Sequence, residues 1–346
     1  MKQPIQNKVN KYIQGLYYPE YADNSRSDGI DLRHIKGFSN YKLSQDKKIL
    51  KRISQIEKVP EENILITAGA DYALHHVAET FLTIDKKAVI SVPSFPRTEF
   101  HVRVVGASPI FINTYGNNEI EKLQMIIQST EKEKANIIFI ESPVNPTGEI
   151  IRYKTIKPFL KRNSNKIFII DQALSGFLDE SLSKLALEFH NVIIIKSFSK
   201  LYGLAGLRVG YIIASRRLLD FIKKTVSPYE ISTESLFILQ KLLNKNSVIK
   251  NNKSGVLVNL QYLKQNLKIK FSDSFGPFVL LDGGKKLPNL YAQLIKRKTY
   301  GVDGKNFRGL ENTNTVRISI TNFTQIKNIV YKINLLLESL NRNKSI

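Results

Sequence analysis

The chain has 346 residues, of which 42% are apolar, so it is long enough for about two globular domains and too apolar for a disordered protein. It contains no cysteine, which excludes disulfides, thiolate catalysis and cysteine-ligated zinc. The formal net charge is +22, but the lysines are scattered, and no run reaches the roughly five or six like charges of a basic arm. This composition favours a solvated, lysine-rich surface over a face that binds nucleic acid.

The amino-terminal stretch MKQPIQNKVNKYIQ lacks the apolar segment of a signal peptide. No apolar run approaches the roughly 18 residues that span a membrane. We therefore expect a cytoplasmic protein with no membrane partner. Residues 1–35 are polar and irregular, and we expect them to pack on a smaller domain or on a partner subunit.

Short apolar runs rich in β-branched residues recur through the first two thirds of the chain. They predict strands at 63–67, 88–92, 108–112, 136–143, 166–171, 191–199 and 208–215. Amphipathic stretches of helical length lie between most of them, for example at 69–82 and 117–130. Fully apolar strands that alternate with helices indicate an α/β domain over residues 36–215, with a mainly parallel seven-stranded sheet sandwiched by helices.

The pattern changes after residue 216. A helix-like segment comes first, and Lys/Asn-rich stretches follow it. Strand-like runs then appear at 275–284 and 315–321, and an amphipathic helix is predicted at 326–340. This order is typical of a smaller α+β domain, which we predict over residues 216–346.

Chemically distinctive residues cluster after the predicted strands. In parallel sheets, ligands bind beyond the carboxyl ends of the strands. Lys200 follows the isoleucine-rich strand, where its amine can serve as a nucleophile toward a carbonyl group. Ser197, Ser199 and Arg208 add two hydroxyls and a fork of donors, which are suited to a phosphate.

The segment TAGADYAL offers a second element for the same phosphate. Gly69 permits close backbone approach, and a helix that begins at Ala70–Asp71 directs its N–H groups at an anion. A loop-to-helix turn of this kind is also common without any ligand.

Two further motifs supply an amide and an acid. Asn145 lies in ESPVNPTG, a turn that two prolines and Gly148 make rigid. Asp171 ends an apolar strand, where a buried carboxylate needs a cation or a strong donor as its partner. Taken alone, Asn145 also fits a capping residue, and Asp171 a helix cap or an ion pair.

An amine nucleophile, a phosphate cup, a buried acid and an amide are together what pyridoxal phosphate requires. The sequence resembles the fold-type I pyridoxal-phosphate enzymes of the class I/II aminotransferase family. Within that family it is most similar to the histidinol-phosphate aminotransferase branch, which also contains threonine-phosphate decarboxylase. The resemblance extends from about Tyr41 to Ile320 and rests on ordered segments: ENILITAGADYAL, PSFP, SPVNPTG, IID, SFSKLYGLAGLRVG and VRISIT.

The resemblance implies a role for each matching side chain. Lys200 would form the Schiff base with the cofactor and then move the α-proton of the substrate. Asp171 would pair with the pyridine nitrogen, and Asn145 would donate to the 3-oxygen of the ring. Phe95, in PSFP, would stack on the ring, and Arg317, in VRISIT, would bind the substrate α-carboxylate as a bidentate pair.

The resemblance also implies how the phosphate is held, with no metal ion in the site. The ligands would be backbone and side-chain groups of Ala70, Asp71, Ser197, Ser199 and Arg208. Tyr41, in FSNYKLSQ, matches a tyrosine that reaches the phosphate of the neighbouring subunit. We therefore expect a homodimer with shared active sites.

The chain departs from the family pattern on the substrate side. Leu174 stands in DQAL where the family has a tyrosine, and Pro277 stands in SFGPF where it has an asparagine. The segment GIDLRHIKGFSNY replaces an N-E-N-P-like motif, and the arginine before the last strand could only be Lys305 or Arg308. Because these departures surround the substrate, we expect that histidinol phosphate is not the substrate.

The first functional hypothesis is an aminotransferase that acts on an amino acid or a similar amine and on a keto acid. A second keeps the cofactor but changes the reaction to decarboxylation, elimination, replacement or oxidation. A third is a non-catalytic or nucleic-acid-binding protein that uses its +22 charge, although no helix-turn-helix, zinc or aromatic-interleaved basic motif supports it.

Overall fold

The computed structural model describes residues 42–178, 181–244 and 246–342. Seven strands form one sheet in the order β1-β7-β6-β5-β4-β2-β3. In chain order they are β1 Ile64–Thr67, β2 Lys87–Val92, β3 Ser108–Asn113, β4 Ile137–Glu141, β5 Ile167–Asp171, β6 Val192–Ser197 and β7 Gly210–Ala214. The predicted strands are confirmed, with ends that differ by up to two residues.

Helices connect and cover these strands. They are α1 Lys47–Glu57, α2 Gly69–Phe81, α3 Arg97–Val104, α4 Glu119–Lys132, α5 Tyr153–Arg162, α6 Leu185–Glu188, α7 Arg216–Ile222 and α8 Thr233–Leu242. Short 3₁₀ helices lie at Glu61–Asn63 and Ala205–Leu207. Local signals set several helix ends: Asn118 and Glu121 form a capping box at the start of α4, and Asp46 caps α1.

The sheet is mainly parallel, as predicted. Strand β2 pairs in parallel with β3 and β4, and β4, β5 and β6 continue in parallel. Strand β7 is the exception, because it pairs antiparallel with both β6 and β1. The carboxyl ends of β1, β4, β5 and β6 and the beginning of β7 therefore meet at one edge.

Alternate residues of each central strand face two separate cores. Ile194 belongs to one core cluster, and its neighbours Ile193 and Ile195 belong to the other. Both faces are covered, so every residue of β4 and of β7 is buried. This two-sided burial is why these strands form uninterrupted apolar runs in the sequence.

A second, smaller sheet follows, with the antiparallel order β10-β11-β9-β8. Its strands are β8 Lys270–Phe271, β9 Phe278–Asp282, β10 Val302–Asp303 and β11 Thr315–Ser319. Its helices are α9 Asn246–Asn266, α10 Leu290–Lys296 and α11 Phe323–Arg342, and a 3₁₀ helix lies at Gly304–Asn306. The predicted mixture of helices and strands is confirmed.

The third core cluster belongs to this small sheet. Its members include Leu281, Ile318 and Ile333. Leu218 and Leu219 of α7 pack instead in a core of the large sheet. The domain division at residue 216 stays a prediction. No helix in the described parts of the chain combines the length and apolar character needed to cross a membrane.

Candidate active site

Three strand ends lie level at one edge of the large sheet. Thr67, the last residue of β1, is paired with Gly210, the first residue of β7. Gly210 is paired on its other side with Ser197, the last residue of β6. The strand order thus places the turn into α2 beside the end of β6, although more than a hundred residues separate them in sequence.

The first turn of α2 packs directly on the backbone of β7. A methyl group on Gly210 would lie 2.7 Å from the Ala70 nitrogen, the Gly69 carbonyl carbon and the Lys196 carbonyl oxygen. Ala68 precedes the helix and provides no side-chain cap. The first N–H groups of a helix have no partner within it, so this turn is a suitable place for an anion.

Arg208 reaches the same turn. Gly69 has a φ of +83°, and a methyl group there would lie 3.3 Å from Nη2 of Arg208. The Ser197 hydroxyl donates to the Ser199 hydroxyl over 2.9 Å and accepts from the Ser199 N–H over 3.0 Å. The predicted phosphate ligands therefore lie on segments that meet at this edge.

Lys200 lies in the turn that follows β6. It is half-buried, and its carbonyl accepts a hydrogen bond from the N–H of Gly203 over 3.1 Å. Further along, the Leu204 N–H donates to the Phe198 carbonyl over 3.2 Å. The loop that contains Lys200 and Arg208 is therefore held by its own backbone hydrogen bonds, and it is joined to β6 at one end and to β7 at the other.

A second lysine, which the sequence analysis did not single out, has a different role. Lys196 is buried in β6, with Nζ 3.0 Å from a carboxylate oxygen of Glu57 and 3.0 Å from the Ser181 hydroxyl. The Tyr211 hydroxyl donates to the same carboxylate over 2.7 Å. Burial raises the pKa of Glu57, but the Lys196 charge and the hydroxyl donors outweigh it and bring the pKa below its usual value.

Asp171 ends β5 at the same edge and is buried. Its carboxylate accepts a hydrogen bond from the N–H of Ala173 over 2.8 Å. Burial raises the pKa of Asp171 to about 6; the Ala173 N–H opposes the rise and the charge of Asp71 adds to it. The strong donor that the sequence predicted is thus a backbone N–H.

Glu141 ends β4 and is paired with Asp171 on the next strand. It is 5% exposed, and its carboxyl group accepts hydrogen bonds from the backbone of Phe95 and of Asn145. Glu141 was not predicted as a site residue from the sequence. The signal was nevertheless present, because an acid at the end of an apolar run is what identified Asp171.

Asn145 and Arg317 are in direct contact. Nη1 of Arg317 donates to the side-chain oxygen of Asn145 over 2.8 Å. Arg317 lies on β11 of the small sheet, and its guanidinium carbon is 5.3 Å from the centre of the Phe278 ring. The structure therefore brings together two predicted site residues, one on a strand of the small sheet and the other in the loop after β4 of the large sheet.

Asp71 forms an ion-pair cluster that the sequence analysis missed. Arg97 binds its carboxylate through two contacts of 2.8 and 3.0 Å, and His101 Nε2 lies 2.9 Å from it. Burial would raise the pKa of Asp71, but these two partners hold it well below the usual range. Burial lowers the pKa of His101, and its contact with Asp71 opposes that. Because the carboxylate is engaged, the backbone is what Asp71 offers to an anion.

The other residues named from the sequence have separate outcomes. Tyr41 lies outside the described residues. Phe95 is half-buried just before α3. Pro277 is buried, and its carbonyl accepts a hydrogen bond from the Ile320 N–H over 2.9 Å.

Arg308 binds Glu99 at 3.1 Å and lies 4.0 Å from the centre of the Phe111 ring, so its guanidinium contributes to packing between α3 and the small domain.

Comparison with known proteins places this geometry in a family. The family model for aminotransferase class I and II matches residues 12–333. The chain therefore belongs to the class I and II aminotransferases and is an enzyme that transfers amino groups.

Curated relatives agree with this placement. The histidinol-phosphate aminotransferase of Ruminiclostridium cellulolyticum is 30% identical over 228 residues, a match that spans 64% of each chain. That of Thermoanaerobacter pseudethanolicus is 27% identical over 345 residues, which cover 91% of this chain and 95% of the relative.

Solved structures show the same fold. The L-threonine-O-3-phosphate decarboxylase of Porphyromonas gingivalis superimposes with a TM-score of 0.71 at 21% identity, over 87% of this chain and 91% of that one. The histidinol-phosphate aminotransferase of Sinorhizobium meliloti, solved in complex with pyridoxal-5′-phosphate, gives a TM-score of 0.75 at 17% identity, over 88% of this chain and 84% of the other.

Proposed function

We propose that this aminotransferase binds pyridoxal 5′-phosphate through Lys200 and moves the amino group of an amino acid, or of a similar amine, to a keto acid. One observation carries the proposal: Lys200, the beginning of α2 with Arg208, and the Asn145–Arg317 pair lie along one edge of the large sheet. The pyridoxal-phosphate complex of the Sinorhizobium meliloti relative supports the choice of cofactor.

The described residues fit the phosphate of this cofactor. The turn at Gly69 favours glycine, because its φ is +83° and a methyl group there would lie 3.3 Å from Nη2 of Arg208. The N–H groups of Ala70 and Asp71, for which Ala68 provides no side-chain cap, and the hydroxyls of Ser197 and Ser199 complete a set of donors. The Glu230 carboxylate lies at the same turn, where it accepts the N–H of Ala68. Bound pyridoxal phosphate supplies an aldehyde for the incoming amine and a ring that accepts electrons from the α-carbon.

Each side chain then has one task. Lys200 would hold the cofactor covalently, and Nζ would afterwards carry the α-proton of the substrate. Asp171 would accept the N–H of the ring, while the Asn145 amide donates to the ring oxygen and Phe95 stacks on the ring. Arg317 would bind the α-carboxylate with its fork of donors.

We also propose a homodimer with shared active sites, in which Tyr41 contributes to the phosphate site of the partner. The match of FSNYKLSQ to the family segment supports this. The location in the cytoplasm stays a prediction.

The decisive experiment is borohydride reduction of the purified protein followed by peptide mapping. A pyridoxyl group is expected on Lys200 and is expected to be absent from Lys200→Ala. The exposed Lys286→Ala variant is the matched control and should keep the group. A reducible cofactor linkage that persists in Lys200→Ala would disprove the assignment.

Incubation with an amino donor alone separates transamination from the other reactions. One keto acid per site should form without a keto-acid acceptor, and the visible absorbance of the cofactor should decrease. Release of carbon dioxide or ammonia would instead favour a decarboxylase or a lyase. The donor panel should include histidinol phosphate, which we expect to react poorly because Arg308 is already bound to Glu99.

A further inference from the structure

Two acids lie side by side beneath the proposed cofactor site. Glu141 and Asp171 are the last residues of neighbouring parallel strands and are paired in register. Paired residues of adjacent strands point to the same face and lie about 5 Å apart. Both residues are buried, at 5% and 9% exposure.

Glu141 also joins two loops. Its carboxyl group accepts the N–H of Asn145 over 2.9 Å and the N–H of Phe95. One of these loops presents the amide that contacts Arg317, and the other presents the aromatic ring of the site. A single side chain therefore sets the relative position of both loops above Asp171.

The charges around this pair do not neutralise two carboxylates. Burial, and then the charge of Asp171, raise the pKa of Glu141 well above its usual value. The titratable groups nearby are Asp71 on α2, with its partners Arg97 and His101, and Arg317 on β11, which contacts Asn145. Lys200 lies at the same edge, after β6. The donors to these carboxyl groups are backbone N–H groups, of Ala173 for Asp171 and of Asn145 and Phe95 for Glu141. Burial and the neighbouring negative charge outweigh the N–H groups of Asn145 and Phe95, which lower the pKa of Glu141, so we expect one proton to stay with the pair near neutral pH.

We propose that Glu141 is a positioning residue for the cofactor: it holds the Phe95 and Asn145 loops and, by retaining a proton beside Asp171, limits the pair to one negative charge under the ring nitrogen. This inference rests on the proposed function, because the ring nitrogen is the group that Asp171 would meet.

Infrared spectroscopy of the full-length protein tests the retained proton. Wild type should show the carbonyl-stretching band of a protonated carboxylic acid at neutral pH, and Glu141→Gln should lose it. The surface variant Glu133→Gln is the matched control and should keep the band. If wild type has no such band, or if Glu141→Gln retains it, the shared proton is disproved.

Cofactor binding tests the positioning role. Removal of both acceptor contacts in Glu141→Ala should weaken pyridoxal-phosphate binding by about tenfold or more and change the visible circular dichroism of the bound cofactor. If that variant does not fold, Glu141→Gln, which keeps one acceptor, should show the same changes more weakly. Unchanged affinity and dichroism would overturn this role.

The two proposals fail in different ways. If wild type binds no pyridoxal phosphate, the proposed function fails, whereas the infrared band needs no cofactor and still decides the state of the pair. If wild type binds the cofactor but Glu141 variants match it in band, affinity and dichroism, only the inference about Glu141 fails.

Discussion

Arg317 and Asn145 are joined by a hydrogen bond of 2.8 Å, although one lies on a strand of the small sheet and the other in a loop of the large one. The bond fixes the guanidinium of Arg317 over the edge where Lys200 and Asp171 lie. A ligand that binds this guanidinium is therefore oriented by both sheets at once.

Replacing Arg317 by lysine should impair substrate binding more than cofactor binding. Lysine keeps the charge but loses the planar fork that binds a carboxylate through two parallel hydrogen bonds. We expect kcat/KM to fall by about 100-fold, mainly through KM, with the cofactor spectrum unchanged. Steady-state kinetics beside the exposed-surface control Arg216→Lys would measure this, and an unaltered KM would remove Arg317 from the substrate site.

Gly210→Ala should disturb the first turn of α2. The added methyl group would meet three backbone atoms at 2.7 Å, and backbone cannot rotate away as a side chain can. We expect a loss of about 1–3 kcal/mol in the free energy of unfolding and weaker cofactor binding. Gly206→Ala is the matched control, since a methyl group there meets nothing within 4 Å. Equal stability of the two variants would contradict the close packing.

Gly148→Ala should destabilise the fold by disturbing the contact between the NPTG loop and Ser274 of the small domain. A methyl group there would lie 1.8 Å from the Ser274 hydroxyl, and the Phe275 N–H donates to the Gly148 carbonyl over 2.9 Å. Gly116 has a similar φ, +82° against +75°, but open space around it, so Gly116→Ala measures the backbone strain alone. Denaturant unfolding should show the larger loss for Gly148→Ala, and adding Ser274→Gly should recover part of it.

Glu57→Gln should destabilise the core that surrounds Lys196. Breaking a buried ion pair leaves an uncompensated charge and costs about 3–5 kcal/mol. The pKa of Glu57 is lower in the folded chain, so its contribution is present above the unfolded value and is lost as the pH falls. The difference in the free energy of unfolding between wild type and Glu57→Gln should therefore decrease as the pH is lowered, which denaturant unfolding at several pH values would measure.

The exposed pair of Lys87 and Glu133 provides the comparison for Glu57. Glu133→Gln should leave the unfolding midpoint unchanged at neutral pH, because surface ion pairs contribute little. If Glu57→Gln were as mild as this control, the Lys196 contact would not stabilise the fold.

The strands could be predicted because burial on both faces leaves a continuous apolar signal, as in β4 and β6. The lysine, the buried aspartate and the arginine of VRISIT were predictable because each stands in a segment with its own local pattern. The resemblance to known enzymes then supplied their roles.

Other features depend on which strands become neighbours. The acid at Glu141 is visible in the sequence, but its pairing with Asp171 follows from β4 lying beside β5. Lys196 is buried because it forms an ion pair with Glu57, which lies on α1 near the start of the described chain. No local pattern near either residue contains that information, because the partner comes from a distant segment.

The pairing of Gly210 with Thr67 and Ser197 also bears on the order in which the chain folds. Among the described residues, β1 is the edge strand of the large sheet, and its partner is β7, which is synthesised much later. During translation β1 therefore stays unpaired until the intervening strands and β7 have emerged. The pairing of β1 with β7 is then a non-local contact, and such contacts form slowly. The turn at Gly69 is complete once that closure has occurred, so the proposed phosphorylated cofactor would stabilise fully assembled chains and draw late intermediates toward the native state.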